Sequence, residues 1–170
     1  MSRDVADGTG LIKHDPWLQP YAEKLRGRYA HYLEMKRKID AGGGLAGTVS
    51  HGHKYFGFNR GSQQGRPGVW YREWAPGAKQ LFLTGDLVGW DRYALRMTRD
   101  EWGVWSIFLP DETFGQRLVH GSKVKVHVIS DGAASGAQTA LDRIPAYIRR
   151  VVQEPGGPDF TGQYWAPPEP

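Results

Sequence analysis

Six histidines and no cysteine leave few soft donors in the chain, and only His51-Gly52-His53 forms a close pair. A bound transition metal needs three or more donors at a recognisable spacing, and none of His14, His31, His120 and His127 supplies a third here. The pair therefore reads as part of an exposed loop. Glu73, Asp86, Asp91 and Asp142 are the acids from which a catalytic carboxylate pair could be drawn. Glu73, however, sits inside a strand-like run beside Arg72, while Asp86 and Asp142 fall in turn-like clusters. Cross-strand pairing and capping are the uses expected of them. The glycine-rich stretches Gly42 to Gly47 and Gly65 to Gly68 lack the Gly-x-x-x-x-Gly-Lys-Ser/Thr spacing and the strand-to-helix setting of a phosphate cradle. No catalytic residue, metal site or cofactor is expected of this chain.

Binding chemistry has better candidates. Trp90 ends the turn-rich segment Gly85-Asp86-Leu87-Val88-Gly89-Trp90-Asp91, just after a strand-like run. On a loop, its ring offers a rigid flat face and a polar N–H, suited to the apolar face of a sugar or to a base. The other reading is that the ring folds back over an edge of the core. Lys125 alternates with Val124 and Val126, so it lies on the opposite face of its strand, where its ammonium can donate to a hydroxyl or simply face water. Trp74, Trp102 and Trp105 sit in or beside strand runs and are expected in the core. Trp17 and Trp70 are expected to pack helix against sheet.

These side chains need elements to hold them. Asp15-Pro16-Trp17-Leu18 is a helix-start signal, and Tyr21, Leu25, Tyr29, Tyr32, Leu33 and Ile39 recur at three- and four-residue steps among charged residues. The spacing predicts one amphipathic helix of about five turns, ended by Gly42-Gly43-Gly44. Beyond it the period shortens to two. Strands are predicted at Val69 to Trp74, Gln80 to Thr84, Val104 to Leu109, Lys123 to Ile129 and Tyr147 to Val152, separated by turn clusters. Five or more short strands without intervening helices give a mainly β fold, an antiparallel sandwich. With 7 Trp, 8 Tyr and 6 Phe among 170 residues, large rings suit such a core or a stacking surface. A complete (β/α)₈ barrel, at about 250 residues, does not fit in this length. The net charge of +4 comes from scattered Lys and Arg, which favours solvated faces over a polyanion footprint. No apolar run approaches a membrane span, and no signal peptide opens the chain, so a cytoplasmic location is expected.

The ordered motifs Arg72-Glu73-Trp74-Ala75-Pro76-Gly77-Ala78, Leu81-Phe82-Leu83-Thr84-Gly85-Asp86-x-x-Gly89-Trp90, Gly103-x-Trp105 and Leu109-Pro110 resemble the α-glucan-binding module that precedes the catalytic barrel of branching and debranching enzymes. More specifically, the chain is similar to the N-terminal region of the eukaryotic-type 1,4-α-glucan branching enzymes. Asp15 to Tyr21, Tyr55-x-Gly57, His120-Gly121-Ser122-Lys123-x-Lys125-Val126, Arg143 to Ile148 and Tyr164-Trp165-x-Pro167-Pro168 carry the same likeness.

The resemblance implies an immunoglobulin-like β-sandwich preceded by an N-terminal helix. It implies a flexible lead-in over 1–14, a helical segment over 15–48, the sandwich over 49–157 and a linker over 158–170 toward a catalytic barrel that this chain lacks. It further implies binding of α-1,4-linked glucan (glycogen, starch or malto-oligosaccharides) through Trp90 and Lys125, with the chain's own catalytic domain as partner and no nucleic acid or membrane. The transfer of an α-1,4-linked segment to a 6-hydroxyl belongs to that catalytic domain, so this chain alone is not expected to be an enzyme. Two departures stand out. The family's usual Phe-Asn is replaced by Leu87-Val88, and a second binding Trp has no counterpart between Asp131 and Ala140. The alternative reading is a module that packs on the barrel with little sugar binding of its own.

Overall fold

The structure, a computed structural model, describes residues 6–131 and 138–168. Its backbone contacts divide the chain into two units, Met1–His51 and Gly52–Pro170. In the first, a 3-10 turn at Pro16–Tyr21 is capped by Asp15, whose carboxylate accepts the Trp17 N–H. It leads into helix α1, Ala22–Ala41. The glycines do end α1, but a second helix follows, α2 at Gly44–Val49, tied back by the Thr48 hydroxyl donating to the Ile39 carbonyl. The described part of the lead-in is anchored. Asp7 accepts the Thr9 N–H and hydroxyl and the Arg26 Nε–H, and these bonds, those from Thr9 foremost, lower its pKa to about 2. None of the residues of α1 is buried, and Trp17, expected to pack helix on sheet, is exposed.

The second unit is an immunoglobulin-like antiparallel β-sandwich. Its strands are β1 Gly57–Gln63, β2 Arg66–Trp74, β3 Ala78–Gly85, β4 Leu95–Arg96, β5 Thr98–Arg99, β6 Val104–Pro110, β7 Lys123–Asp131, β8 Gln138–Arg143, β9 Arg150–Gln153 and β10 Phe160–Gln163. One sheet has the order β1-β2-β6-β5; the other runs β4-β3-β7-β10-β9, with β8 also pairing with β7. A two-residue turn, Gln64-Gly65, joins β1 to β2, both residues at positive φ as a type I′ hairpin requires. β1 escapes sequence reading because Gly57-Phe58-Asn59-Arg60-Gly61-Ser62-Gln63 is polar and interrupted by glycine.

The segment read as a linker corrects the expected boundary. Its residues Phe160–Gln163 form β10, paired to β9 and to the start of β7, and Thr161 and Tyr164 are buried. Trp165 lies against His120 and under the Arg150 guanidinium. Tyr147 and Ile148, expected to open a strand, lie in a turn before β9.

Alternation along the strands builds the core. Val69 and Tyr71 of β2 and Trp105 and Leu109 of β6 face Leu81 and Leu83 of β3 and Val124 and Val126 of β7. Each such side chain, fully buried, contributes about 1.5–3 kcal/mol of transfer free energy. Two of the three tryptophans expected in that core are not in it. Trp105 is buried, but Trp74 and Trp102 are exposed, because the alternation that turns Tyr71 and Glu73 inward turns Trp74 outward, and Trp102 stands on a hairpin. Trp70 lies on the outer face of its sheet, 5.1 Å from the Phe108 ring.

Glu73 takes the inward position instead. Its carboxylate accepts the hydroxyl of fully buried Tyr71 at 2.6 Å and the Ala146 N–H at 3.2 Å, which fastens the chain after β8 to β2. Burial raises the carboxyl pKa above its ordinary 4.5, against the two hydrogen bonds that lower it. A carboxyl raised in the fold supports stability below its unfolded pKa and withdraws that support as pH climbs through the raised value. Glu73→Gln keeps an acceptor without a charge, so in urea titrations the wild type should lose ground to it as pH rises above 4.5. Glu73→Ala, which strands two donors, should cost about 2 kcal/mol or more at every pH. A wild-type-to-Gln difference that stays flat with pH would contradict this role.

Candidate functional site

β3 ends at Gly85, where φ is 144° and an added Cβ would lie 2.2 Å from the Lys123 carbonyl oxygen, so only glycine lets the chain pass this close to β7. A single 3-10 turn, Asp86–Val88, follows, buries Leu87 in the core and ends at Gly89 in the left-handed conformation. Trp90 then also adopts positive φ, at 67°. For a bulky side chain that backbone costs on the order of 1–2 kcal/mol and persists only where its surroundings impose it.

The surroundings are specific. The Trp90 N–H donates to the Gly85 carbonyl at 2.9 Å, and its indole N–H donates to Asp86 Oδ1 at 3.0 Å. The other carboxylate oxygen of Asp86 accepts the Lys123 N–H of β7 at 2.8 Å. One acid thus clamps the indole edge to the neighbouring strand. The ring remains 40% exposed.

Lys125 stands beside this clamp. Thr84 pairs with Lys125 and Gly85 with Val124, so the lysine lies at the end of the sheet from which the Trp90 loop departs. Val124 and Val126 enter the core, which sends Lys123, Lys125 and His127 to the outer face. Lys123 is bound to Glu154 at 2.6 Å, and Glu154 also accepts the Thr161 hydroxyl. The Lys125 side chain makes no hydrogen bond or ion pair among the described residues; the Glu154 carboxylate only feels its charge.

The chain after Trp90 straps across the same face. Tyr93 packs edge-on against Phe82 and against His127, each at 5.3 Å. Arg92 grips Asp142 through Nε–H at 2.9 Å and its terminal nitrogen at 2.8 Å, while His127 Nδ1 lies 2.7 Å from the same carboxylate. Arg92 first, and His127 after it, hold the Asp142 carboxyl below the usual range. Asp142, expected in a turn, is therefore a residue of β8 paired opposite His127. The Thr84 hydroxyl and His127 Nε2 are buried with no hydrogen-bond partner among the described residues.

The four acids are thus spent on the fold or spread over it. Glu73 is inside, Asp86 clamps the indole, Asp91 accepts the Tyr93 N–H and Asp142 joins the strap. Among the described residues no group of three or more His, Asp or Glu is gathered as a metal would need, and no helix is long and apolar enough to cross a membrane. The missing second Trp concerned Asp131 to Ala140, of which 132–137 lie outside the described residues. Sequence reading singled out Trp90 and Lys125 but not the clamp by Asp86, whose only signal was its place in a turn, nor the strap, whose partners are about fifty residues apart.

An antiparallel sandwich that holds one strained indole half-open beside an unpaired lysine has the form of a ligand-binding module rather than an enzyme centre. The family profile described as carbohydrate-binding module 48 (isoamylase N-terminal domain) matches residues 55–148, and the chain belongs to that family. It is a non-catalytic carbohydrate-binding module. The chain is similar to a 1,4-alpha-glucan-branching enzyme of Dictyostelium discoideum, 37% identical over 96% of this chain and 23% of that protein. It is likewise similar to 1,4-alpha-glucan-branching enzyme 2-2, chloroplastic/amyloplastic, of Arabidopsis thaliana, 42% identical over 96% of this chain and 19% of that one. The chain therefore spans about a fifth of the length of these relatives. Among solved structures, ligand-free PulA of Klebsiella pneumoniae overlaps 74% of this chain and 11% of its own at 20% identity, with a TM-score of 0.44.

Asp86 sets the pose of the indole. Asp86→Ala should release both the Trp90 indole N–H and the Lys123 N–H, and the ¹⁵N heteronuclear NOE of that indole should drop toward that of a mobile side chain. Asp86→Asn, which keeps an acceptor oxygen, should retain part of the order. An indole NOE unaltered in Asp86→Ala would show that the carboxylate does not hold the ring.

Proposed function

We propose that the module binds α-1,4-linked glucan, as glycogen, starch or malto-oligosaccharide, and positions glucan chains for α-1,4 to α-1,6 transfer by a catalytic domain of the same protein in the cytoplasm. Trp90 stacks on the apolar face of a glucose ring, and Lys125 donates to hydroxyls at the ring's edge. The observation that carries this reading is the pinned indole: its backbone is strained, its N–H is occupied by Asp86, and its face is left open. A ring needed only to cover the core has no use for that pose, since Leu87 and Tyr93 already cover the neighbouring ground. The names of the branching-enzyme relatives support the choice of glucan. The scattered charge supports neither nucleic acid nor membrane as partner.

With one ring rather than two, the contact is one-sided and the affinity modest. In glycogen affinity gels, Trp90→Ala should weaken retardation by about tenfold, or ~1.4 kcal/mol, and Lys125→Ala by several-fold, with circular dichroism showing both variants folded. Mobility of Trp90→Ala equal to wild type would sink the assignment. No retardation of the wild type by glycogen would instead leave the module a structural one that packs on its catalytic domain.

A further inference from the structure

We propose that Asp142, on β8, is a positioning residue for Trp90: by gripping Arg92 it fixes the chain that leaves Trp90, and with that chain the face the indole offers to glucan. This rests on the reading of the module as a glucan binder. It adds a residue that touches no ligand and lies fifty positions along the chain from the arginine it holds.

The loop from β3 to β4 takes an indirect course. β4 pairs with β3 on the side away from β7, with Arg96 opposite Phe82 and Leu95 opposite Leu83. A loop that only had to join these two strands has no need to reach past β7. Phe82, His127 and Asp142 form one row across β3, β7 and β8, each opposite the next in the ladders. Tyr93 rests edge-on against the first two, and Arg92 reaches the third. With strands about 4.8 Å apart, the two side chains together span two strand spacings, roughly 10 Å.

The grip has a direction as well as a distance. Arg92 Nε–H donates to Asp142 Oδ2 at 2.9 Å and its terminal nitrogen stands 2.8 Å from the same oxygen, while His127 Nδ1 lies 2.7 Å from Oδ1 and steadies the carboxylate from the other side. Pairing a guanidinium through two nitrogens orients it. Asp91 accepts the Tyr93 N–H at 2.9 Å, which closes residues 91–93 into one turn. The turn begins at the residue after Trp90. Rotation about the N–Cα bond of Trp90 carries its Cβ and the onward chain together, so whatever holds residues 92 and 93 also holds the ring. Positive φ there is disfavoured by the side chain itself. Asp86 and Gly85 restrain the residue from one side, and Asp142 restrains it from the other.

A strap that served stability alone would bury apolar area, and this one buries little. Tyr93 is 61% exposed, Arg92 is exposed, and neither belongs to the core cluster. Their contacts order the chain without covering it. The strap also lies on the face where glucan is read, since the row of Phe82 and His127 is the next along the sheet from the row of Thr84 and Lys125. A ring oriented before the ligand arrives spares binding the entropy of ordering it.

Glycogen affinity gels and the ¹⁵N heteronuclear NOE of the Trp90 indole test this role. Arg92→Ala and Asp142→Asn should each weaken retardation several-fold and lower the indole NOE. Arg92→Lys, which keeps the charge and loses the two-point grip, should fall between Arg92→Ala and wild type. Tyr93→Phe, which keeps the ring contacts, should match wild type. Because Asp142 acts through Trp90, Arg92→Ala combined with Trp90→Ala should be retarded as much as Trp90→Ala alone. Losses that add in the double variant overturn the proposal, since a strap of purely structural use would weaken binding independently of the ring. An indole NOE at the wild-type value in Arg92→Ala overturns it as well. Circular dichroism checks folding; Arg92→Ala removes only an exposed side chain and decides the matter even if Asp142→Asn does not fold. Retardation of Trp90→Ala equal to wild type overturns the glucan reading beneath the proposal, while a lowered NOE in Arg92→Ala then still upholds Asp142 as the residue that positions the ring.

Discussion

The antiparallel pairing of β3 with β7 is the constraint on which the outer surface of the larger sheet depends. Its register sets Leu83 opposite Val126, Thr84 opposite Lys125 and Gly85 opposite Val124. Because side chains alternate with a period of two, a slip of one residue would drive Lys125 and His127 into the core and expel Val124 and Val126. The apolar set is therefore what fixes the lysine on the outer face. The pairing also brings the Lys123 N–H within reach of Asp86, thirty-seven residues earlier, so the strand ladder and the Trp90 clamp form one hydrogen-bonded system.

That system accounts for the strained backbone at Trp90. Positive φ at Trp90 is opposed by its own side chain and is held by a backbone bond to Gly85, an indole bond to Asp86 and the tie from Asp86 to β7. The chain beyond it cannot relax either, because Arg92 and Tyr93 are fastened on Asp142, Phe82 and His127. Tyr93 of that strap packs on His127, and the Thr84 hydroxyl and His127 Nε2 are buried without hydrogen-bond partners among the described residues. Such clustering belongs to sites that are shaped for a ligand before it arrives.

The tryptophans divide by neighbour rather than by local sequence. Trp74, Trp102 and Trp105 look alike in the chain, each in or next to an apolar run. Trp105 is covered because β6 turns it inward against β2 and β3, and its indole N–H finds the Ala75 carbonyl. Trp74 is one residue out of phase with Tyr71 and Glu73, and the hairpin that carries Trp102 leaves it in water. Glu73 shows the converse: a charged residue expected to pair across strands is buried, because Tyr71 and Ala146 need its oxygen.

Features that short-range sterics dictate were legible in the sequence. The glycine-ended helix, the two-faced alternation of β7, the turn that launches Trp90 and the outward aim of Lys125 all rest on backbone and side-chain geometry within a few residues, and the motif order pointed to the family. Strands β1 and β10 were not legible, since their residues carry little β preference and pair only because β2, β7 and β9 present them an edge. Nor were the Asp86 clamp and the Asp142 strap, whose partners meet only after the ladders form. Which indoles are covered and which are left open was decided by tertiary structure alone, because burial is a property of neighbours that the chain brings from far away.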